Sequence, residues 1–201
     1  MTESATNSTK PTIVLASTSI YRANLLKQLG LKFTTARPLF IETHSPDQLP
    51  NTIARDFAEA KARSLTDQFT SHLIIGSDQT ASLNGHLLTK PGTFDNACEQ
   101  LKQCSGQSVT FYTGLTLLNT TTGTIHTTVD VTEVSFRQLS DEQIKRYIER
   151  EQPLDCCGSF KVEGLGISLF TAVNGKDPNS LIGLPLIDLV SFLRLEGIDI
   201  P

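Results

Sequence analysis

Apolar and polar positions alternate along this chain between two periods. Thr12–Ala16 (TIVLA) is a short β-branched apolar run, the pattern of a buried strand. Ser19 then caps a helix whose apolar stripe is Leu25, Leu26 and Leu29, and Gly30 stands where a helix-ending glycine belongs. Lys32–Ala36 reads as a second strand, followed by a loop through Glu42 and Pro46. A helix follows over about Thr52 to Leu65, with Ile53, Phe57, Ala60 and Ser64 on one face. At ~100° per residue Lys61 lies about 40° round from Phe57, so it borders the buried stripe. His72–Gly76 is a further apolar strand that ends at Ser77-Asp78-Gln79.

After the turn Lys90-Pro91-Gly92, Thr93 caps a helix carrying Ala97, Leu101 and Cys104, ended by Gly106. Ser108–Asn119 and Thr124–Arg137 are two long β-rich stretches joined by a Thr/Gly turn, a long hairpin. Ser140 and Gln143 form a capping box, and Pro153 stops the helix it opens. Gly166–Val173 reads as a strand closed by Asn174-Gly175, and Pro185 suits the first turn of a last helix ending near Gly197. The pattern predicts a mixed α/β fold in which a long central antiparallel hairpin divides two lobes around a cleft. Residues 1–10 are expected to be a flexible tail, and 11–201 a single domain.

Composition narrows the function. With 38% hydrophobic and 19% charged residues, the chain is neither fibrous nor disordered. Seventeen basic against 21 acidic residues give a net charge of −4, which argues against bulk binding to nucleic acid or an anionic membrane. No apolar run reaches the length of a membrane span, and the first ten residues lack an apolar signal core, so a cytoplasmic protein is expected. The four cysteines make no CxxC pair, the histidines no HExxH, and no Gly-x-Ser-x-Gly elbow occurs.

Three groups of residues are candidates for chemistry. Ser17-Thr-Ser19-Ile-Tyr-Arg22 places hydroxyls and an arginine at a helix N-terminus, where phosphate binds well; a helix cap and a surface arginine would give the same pattern. Asp78, placed beyond a hydrophobic strand, suits a metal ligand or general base, or a turn-forming aspartate. Lys90 on a rigid turn would reach a phosphate, or simply face solvent. Glu42 and Lys61 admit similar pairs of readings.

The ordered set LASTSIYRANLL, FIET, AEAKA, IIGSDQ, TKP and GSFKVEG resembles the Maf family of nucleoside triphosphate pyrophosphatases, from about Ile13 to Glu196. GSDQ, VTFYTGL, CGSFKVEG and the DPN-x-L-x-GLPL ending resemble the branch that hydrolyses 7-methyl-GTP. The resemblance implies a fold like that of Maf and inosine triphosphatase proteins. It implies attack of water between the α and β phosphates, with a divalent cation, Mg²⁺ or Mn²⁺, as cofactor. By position Asp78 matches the catalytic carboxylate, and Glu42 and Asp78 the metal ligands. Ser17, Arg22, Lys61 and Lys90 match the phosphate-binding positions. Tyr21 would stack on the cationic base, Glu163 would accept the N1 and N2 hydrogens of guanine, and Gln79 would donate to and accept from base or ribose. Ile20, Tyr21, Ala23 and Cys157 depart from the residues usual in relatives.

Two other readings compete: a pyrophosphatase with broad or pyrimidine (dTTP, UTP) preference, and a non-catalytic nucleotide-binding regulator of septum formation. The expected partner is a modified nucleoside triphosphate, with neither nucleic acid nor membrane. A homodimer would suit a small cleft enzyme with an exposed hairpin.

Overall fold

A computed structural model describes residues 11–45 and 47–200; the expected N-terminal tail lies outside them. Twelve regular elements follow in the order β1 (Thr12–Ala16), α1 (Ile20–Lys27), β2 (Phe33–Ala36), α2 (Pro50–Arg63), β3 (His72–Leu83), β4 (His86–Leu88), α3 (Phe94–Cys104), β5 (Ser108–Asn119), β6 (Ile125–Phe136), α4 (Asp141–Glu151), β7 (Phe170–Gly175) and α5 (Leu186–Leu195). Seven strands form one mixed sheet ordered β2-β1-β3-β5-β6-β7, with β4 on the outer edge of β3. β2, β1 and β3 are parallel, whereas β3, β5, β6 and β7 form an antiparallel meander.

The mixed fold and the long hairpin are as the sequence predicts, and so are the caps. Ser19 Oγ accepts from Arg22 N, Thr93 Oγ1 accepts from Asn96 N, and the Ser140/Gln143 capping box is complete. Two expectations need correction. β3 does not stop at Ser77 but continues to Leu83, because β5 pairs with it all the way from Leu73↔Asn119 to Leu83↔Val109. Asp78 therefore lies in mid-strand. Beyond it Asn84 and Gly85, both at positive φ (52° and 85°), make a tight two-residue hairpin into β4, an element additional to those expected. The strand expected from Gly166 begins only at Phe170. Leu165–Leu169 coil into a 3₁₀ turn, because Gly166 N–H bonds Lys161 O and a Cβ on Gly166 would stand 2.3 Å from that oxygen.

Two large apolar clusters pack against one face of the sheet. One joins α3 and α4 to Phe111, Phe136, Phe160 and Phe170; the other joins α1 and α5 to Ile13, Ile75, Leu115 and Leu117. They make the two lobes. α2 covers the opposite face, and two glycines set its depth. A Cβ on Gly76 would lie 2.1 Å from Ala58 O, and one on Gly114 2.1 Å from Ala54 O. The helix backbone thus rests directly on the strands. Its buried face is Ile53, Ala54, Phe57, Ala58, Lys61 and Ala62, turned slightly from the expected one and including the lysine.

One edge of β3 has a gap. β1 pairs with His72–Ile75 and β4 with Ala81–Leu83, so among the described residues no strand covers the outer edge of Gly76–Thr80. The segment carrying Asp78 and Gln79 faces this gap.

Candidate active site

The gap opens into a cleft of about 930 Å³, the size of a nucleotide site. All nine candidate residues line it: Ser17, Tyr21, Arg22, Glu42, Lys61, Asp78, Gln79, Lys90 and Glu163. Arg37, Phe40, His44, Asp155, Cys157 and Lys161 line it as well. Of these, Lys161 stands inside the GSFKVEG string and Phe40 inside FIET, signals the sequence carried; the loop residue Arg37 had none.

At its centre Lys61 Nζ lies 2.5 Å from Asp78 Oδ1 and 2.6 Å from Glu42 Oε1. Each side chain is held by a different element. Lys61 comes from α2, lowered onto the sheet by Gly76 and Gly114. Asp78 comes from β3 and is only 7% exposed. Glu42 comes from the β2–α2 loop, which is pinned along α2: Leu39 N–H bonds Ser64 Oγ (3.1 Å), and Phe40 meets Phe57 edge-on with centroids 5.2 Å apart.

The two carboxylates on this one ammonium are pushed apart in acidity. Burial raises the pKa of Asp78, against the opposing pull of Lys61 and Arg22. Glu42, whose side chain is 55% exposed, suffers less from desolvation; its hydrogen bond and attraction to Lys61, helped by Lys90 and Arg22, hold it below the usual value.

Arg22 is partly buried. Its Nε donates to Gly183 O at 2.8 Å, which aims the rest of the guanidinium fork at the cleft. Burial lowers its pKa against the attraction of Asp78 and Glu42; an arginine stays charged regardless. The surface-arginine reading is thereby set aside, whereas the capping reading holds for Ser19. Ser17 Oγ accepts from Ser19 N at 3.1 Å, leaving its hydroxyl hydrogen free to donate. Lys90 is exposed and makes no hydrogen bond among the described residues.

Gln79 points to the other face of β3. Its Nε2 bonds Thr113 Oγ1 (3.0 Å), Ser180 O (2.9 Å) and Leu181 O (3.2 Å). With its donors engaged, only Oε1 is free to meet a ligand, so the expected dual role reduces to that of an acceptor. Tyr21 and Glu163 line the cleft without a hydrogen bond to the rest of the protein among the described residues. The Cys157 thiol borders the charged cluster, and burial pushes its pKa up.

The donor set suits a hard divalent cation. Among the described residues no three or more His, Cys, Asp or Glu side chains gather as a metal cage. Two carboxylates completed by phosphate oxygens and water are what Mg²⁺ ordinarily takes. No helix among the described residues is long and apolar enough to cross a membrane.

Known proteins resemble this chain along most of its length. A family model described as Maf-like protein matches residues 12–196. A protein of Hahella chejuensis named 7-methyl-GTP pyrophosphatase is 60% identical over 95% of this chain and 96% of its own length. Proteins of the same name from Pseudomonas putida (51% identical, covering 94% and 98%) and Pseudomonas aeruginosa (47%, covering 95% and 100%) are similar too. Among solved structures, the Ham1 protein of Staphylococcus aureus shares the fold, with a TM-score of 0.51 at 12% identity over 92% of this chain and 98% of that one.

Proposed function

The chain belongs to the Maf family, and we propose that it hydrolyses 7-methyl-GTP to 7-methyl-GMP and pyrophosphate in this cleft. One observation carries the chemistry: Arg22, Lys61 and Lys90 converge with Asp78 and Glu42 around a single nucleotide-sized hollow. The substrate is supported by the relatives named for it.

A nucleoside triphosphate brings nearly four negative charges, and cleavage adds charge to the departing pyrophosphate. The Arg22 fork and the Lys61 and Lys90 ammonium groups offset that charge where it develops. Water attacks the α phosphorus, the bond to the bridging α–β oxygen breaks, and pyrophosphate leaves with the electron pair. Asp78 Oδ2, free of protein partners among the described residues, accepts the proton of the attacking water, and the raised pKa of this carboxyl suits the task. Glu42 stays ionised throughout. Two carboxylates of one cluster with acidities driven apart are a common basis for dividing such roles. A divalent cation of the Mg²⁺ or Mn²⁺ class, held by Glu42, Asp78 and the phosphates, would supply further charge neutralisation.

The methylated guanine carries a positive charge. Tyr21 offers it an aromatic face, Glu163 a carboxylate for N1 and N2, and Gln79 Oε1 an acceptor. The reaction belongs to nucleotide metabolism in the cytoplasm. The test is pyrophosphate release from a nucleotide panel with and without Mg²⁺ or Mn²⁺. 7-Methyl-GTP should turn over fastest and only with metal; equal rates on GTP, UTP and 7-methyl-GTP would overturn the substrate assignment.

A further inference from the structure

Behind the cleft lies a buried carboxylate with no ion-pair partner among the described residues. Gln79, Thr113 and Asp130 stand side by side on β3, β5 and β6, paired across the ladders and so on one face of the sheet. Gln79 opens on the cleft, and Asp130 ends the row in the interior, 4% exposed. Both oxygens of Asp130 are enclosed by protein and make no well-formed hydrogen bond among the described residues; burial raises the pKa of the carboxyl, and the nearby Ser180 hydroxyl opposes that rise. The hydroxyl of Thr132, two residues along the same face, is likewise enclosed and unpartnered, as is that of Ser180. Ser180 belongs to the turn that packs on this row, its carbonyl accepting from Thr113 Oγ1 at 2.9 Å and from Gln79 Nε2. Gly175, opposite Thr132, lets the β7 backbone approach closely, since a Cβ there would stand 2.8 Å from Thr132 Oγ1.

A bare carboxylate in such a place costs several kcal/mol unless something of opposite charge joins it. The neighbouring charged groups do not. Asp177 and Asp188 repel it, and the cation that acts on it among the described residues, Lys176, is bonded to Asp188. Asp177 is itself used up: Oδ1 accepts from Asn179 N and Nδ2, and Oδ2 from Ile187 N at the start of α5. What remains is one negative charge and the hydroxyl oxygens of Thr132 and Ser180, all hard donors, with the Ser180 hydroxyl already close to the carboxylate.

We propose that Asp130, Thr132 and Ser180 bind a monovalent cation of the potassium or sodium class. The single charge matches such an ion, whereas divalent oxygen sites generally gather more carboxylates. The ion would brace the Asp177–Gly183 turn from behind. That turn holds Gln79 through Ser180 O, and both Arg22 and Ser77 through Gly183 O. It would therefore act on the cleft without touching substrate.

The experiment is thermal unfolding of the full chain in KCl, NaCl and tetramethylammonium chloride at equal ionic strength. Potassium or sodium should raise the melting temperature saturably over the organic cation, by about 3–6 °C at tenfold above half-saturation. Asp130→Asn should abolish that increment, and Ser180→Ala should move half-saturation to higher salt. Identical melting in all three salts would overturn the proposal, as would an increment that survives Asp130→Asn; the carboxyl then holds a proton or water. Should Asp130→Asn fail to fold, crystals of the wild-type chain soaked in rubidium chloride decide. An anomalous peak beside Asp130 supports the site, and none refutes it.

Discussion

The Lys61 ammonium stands 2.5 Å from the carboxylate of Asp78, which belongs to the stretch Gly76–Thr80 of β3 whose outer edge no strand covers among the described residues. The pair is buried, yet Lys61 holds Glu42 as well, so it would not be stranded if Asp78 lost its charge. Asp78→Asn should accordingly leave the fold intact, with a melting temperature little changed. Pyrophosphate release should fall by about 10²–10⁴-fold, the usual worth of a positioned proton acceptor. Full activity in a folded Asp78→Asn protein would remove Asp78 from the reaction.

The opposed shifts of the two carboxylates predict a pH dependence. Asp78 works as a base only when ionised, and burial raises its pKa, so the acid limb of kcat/KM should lie above the ordinary carboxylate range. The negative charge of Glu42 contributes to raising it. Glu42→Gln should therefore shift the limb to lower pH, whatever it does to the maximal rate. For stability the signs oppose. Asp78, raised in the folded state, withdraws stability as pH climbs from its ordinary value through its folded one. Glu42, lowered, gives stability that is present above its ordinary value and lost as pH falls through its folded value. A pH–rate profile of both proteins, with melting curves alongside, checks the order. A limb that stays put or rises in Glu42→Gln would contradict it.

The sequence made these residues legible to different degrees. Local rules sufficed for the helix caps at Ser19, Thr93 and Ser140 and for the long hairpin, because caps and alternation are written within a few residues. Lys61 on the edge of a buried stripe was readable from helical spacing alone. The partnership of Lys61 with Asp78 and Glu42 was not, since it depends on how deeply α2 sinks onto the sheet. The strand through Asp78 was cut short because Ser-Asp-Gln-Thr looks like a turn; only pairing with all of β5 keeps it extended. The orphaned Asp130 was invisible, since a lone Asp among threonines and valines on a hairpin reads as solvent-facing.

Gly76 sets the depth of α2. Gly76→Ala would place a methyl group 2.1 Å from the Ala58 carbonyl oxygen, and backbone on both sides has little room to yield. The helix must lift, carrying Lys61 away from Asp78. The expected cost is about 2–3 kcal/mol or more, a fall of roughly 4–12 °C in melting temperature, together with lost activity. Gly30→Ala is the control. Its φ of +66° strains an alanine, but nothing among the described residues lies within 4 Å of the new Cβ, so a smaller loss of stability and unchanged kcat should result. Equal effects from the two alanines would show that α2 does not depend on the close approach.

Tyr21 decides whether the base is chosen by charge. It stands in the first turn of α1, beside the Ser17 turn and one residue before Arg22, and its side chain lines the cleft without a hydrogen bond among the described residues. A ring with no polar tie of its own contributes mainly through its face. Against a cationic 7-methylguanine that face is worth about 0.5–2 kcal/mol beyond plain stacking, and against neutral guanine only the stacking remains. Tyr21→Ala should thus lower kcat/KM for 7-methyl-GTP roughly 2–30-fold more than for GTP. Tyr21→Phe, which keeps the face and drops the hydroxyl, should behave nearly as the parent. The comparison isolates the ring from the phosphate grip, because Arg22 and Lys61 act alike on both nucleotides. A uniform loss across GTP and 7-methyl-GTP in Tyr21→Ala would assign Tyr21 to the support of the neighbouring phosphate turn, and base selection would then fall to Glu163 and Gln79.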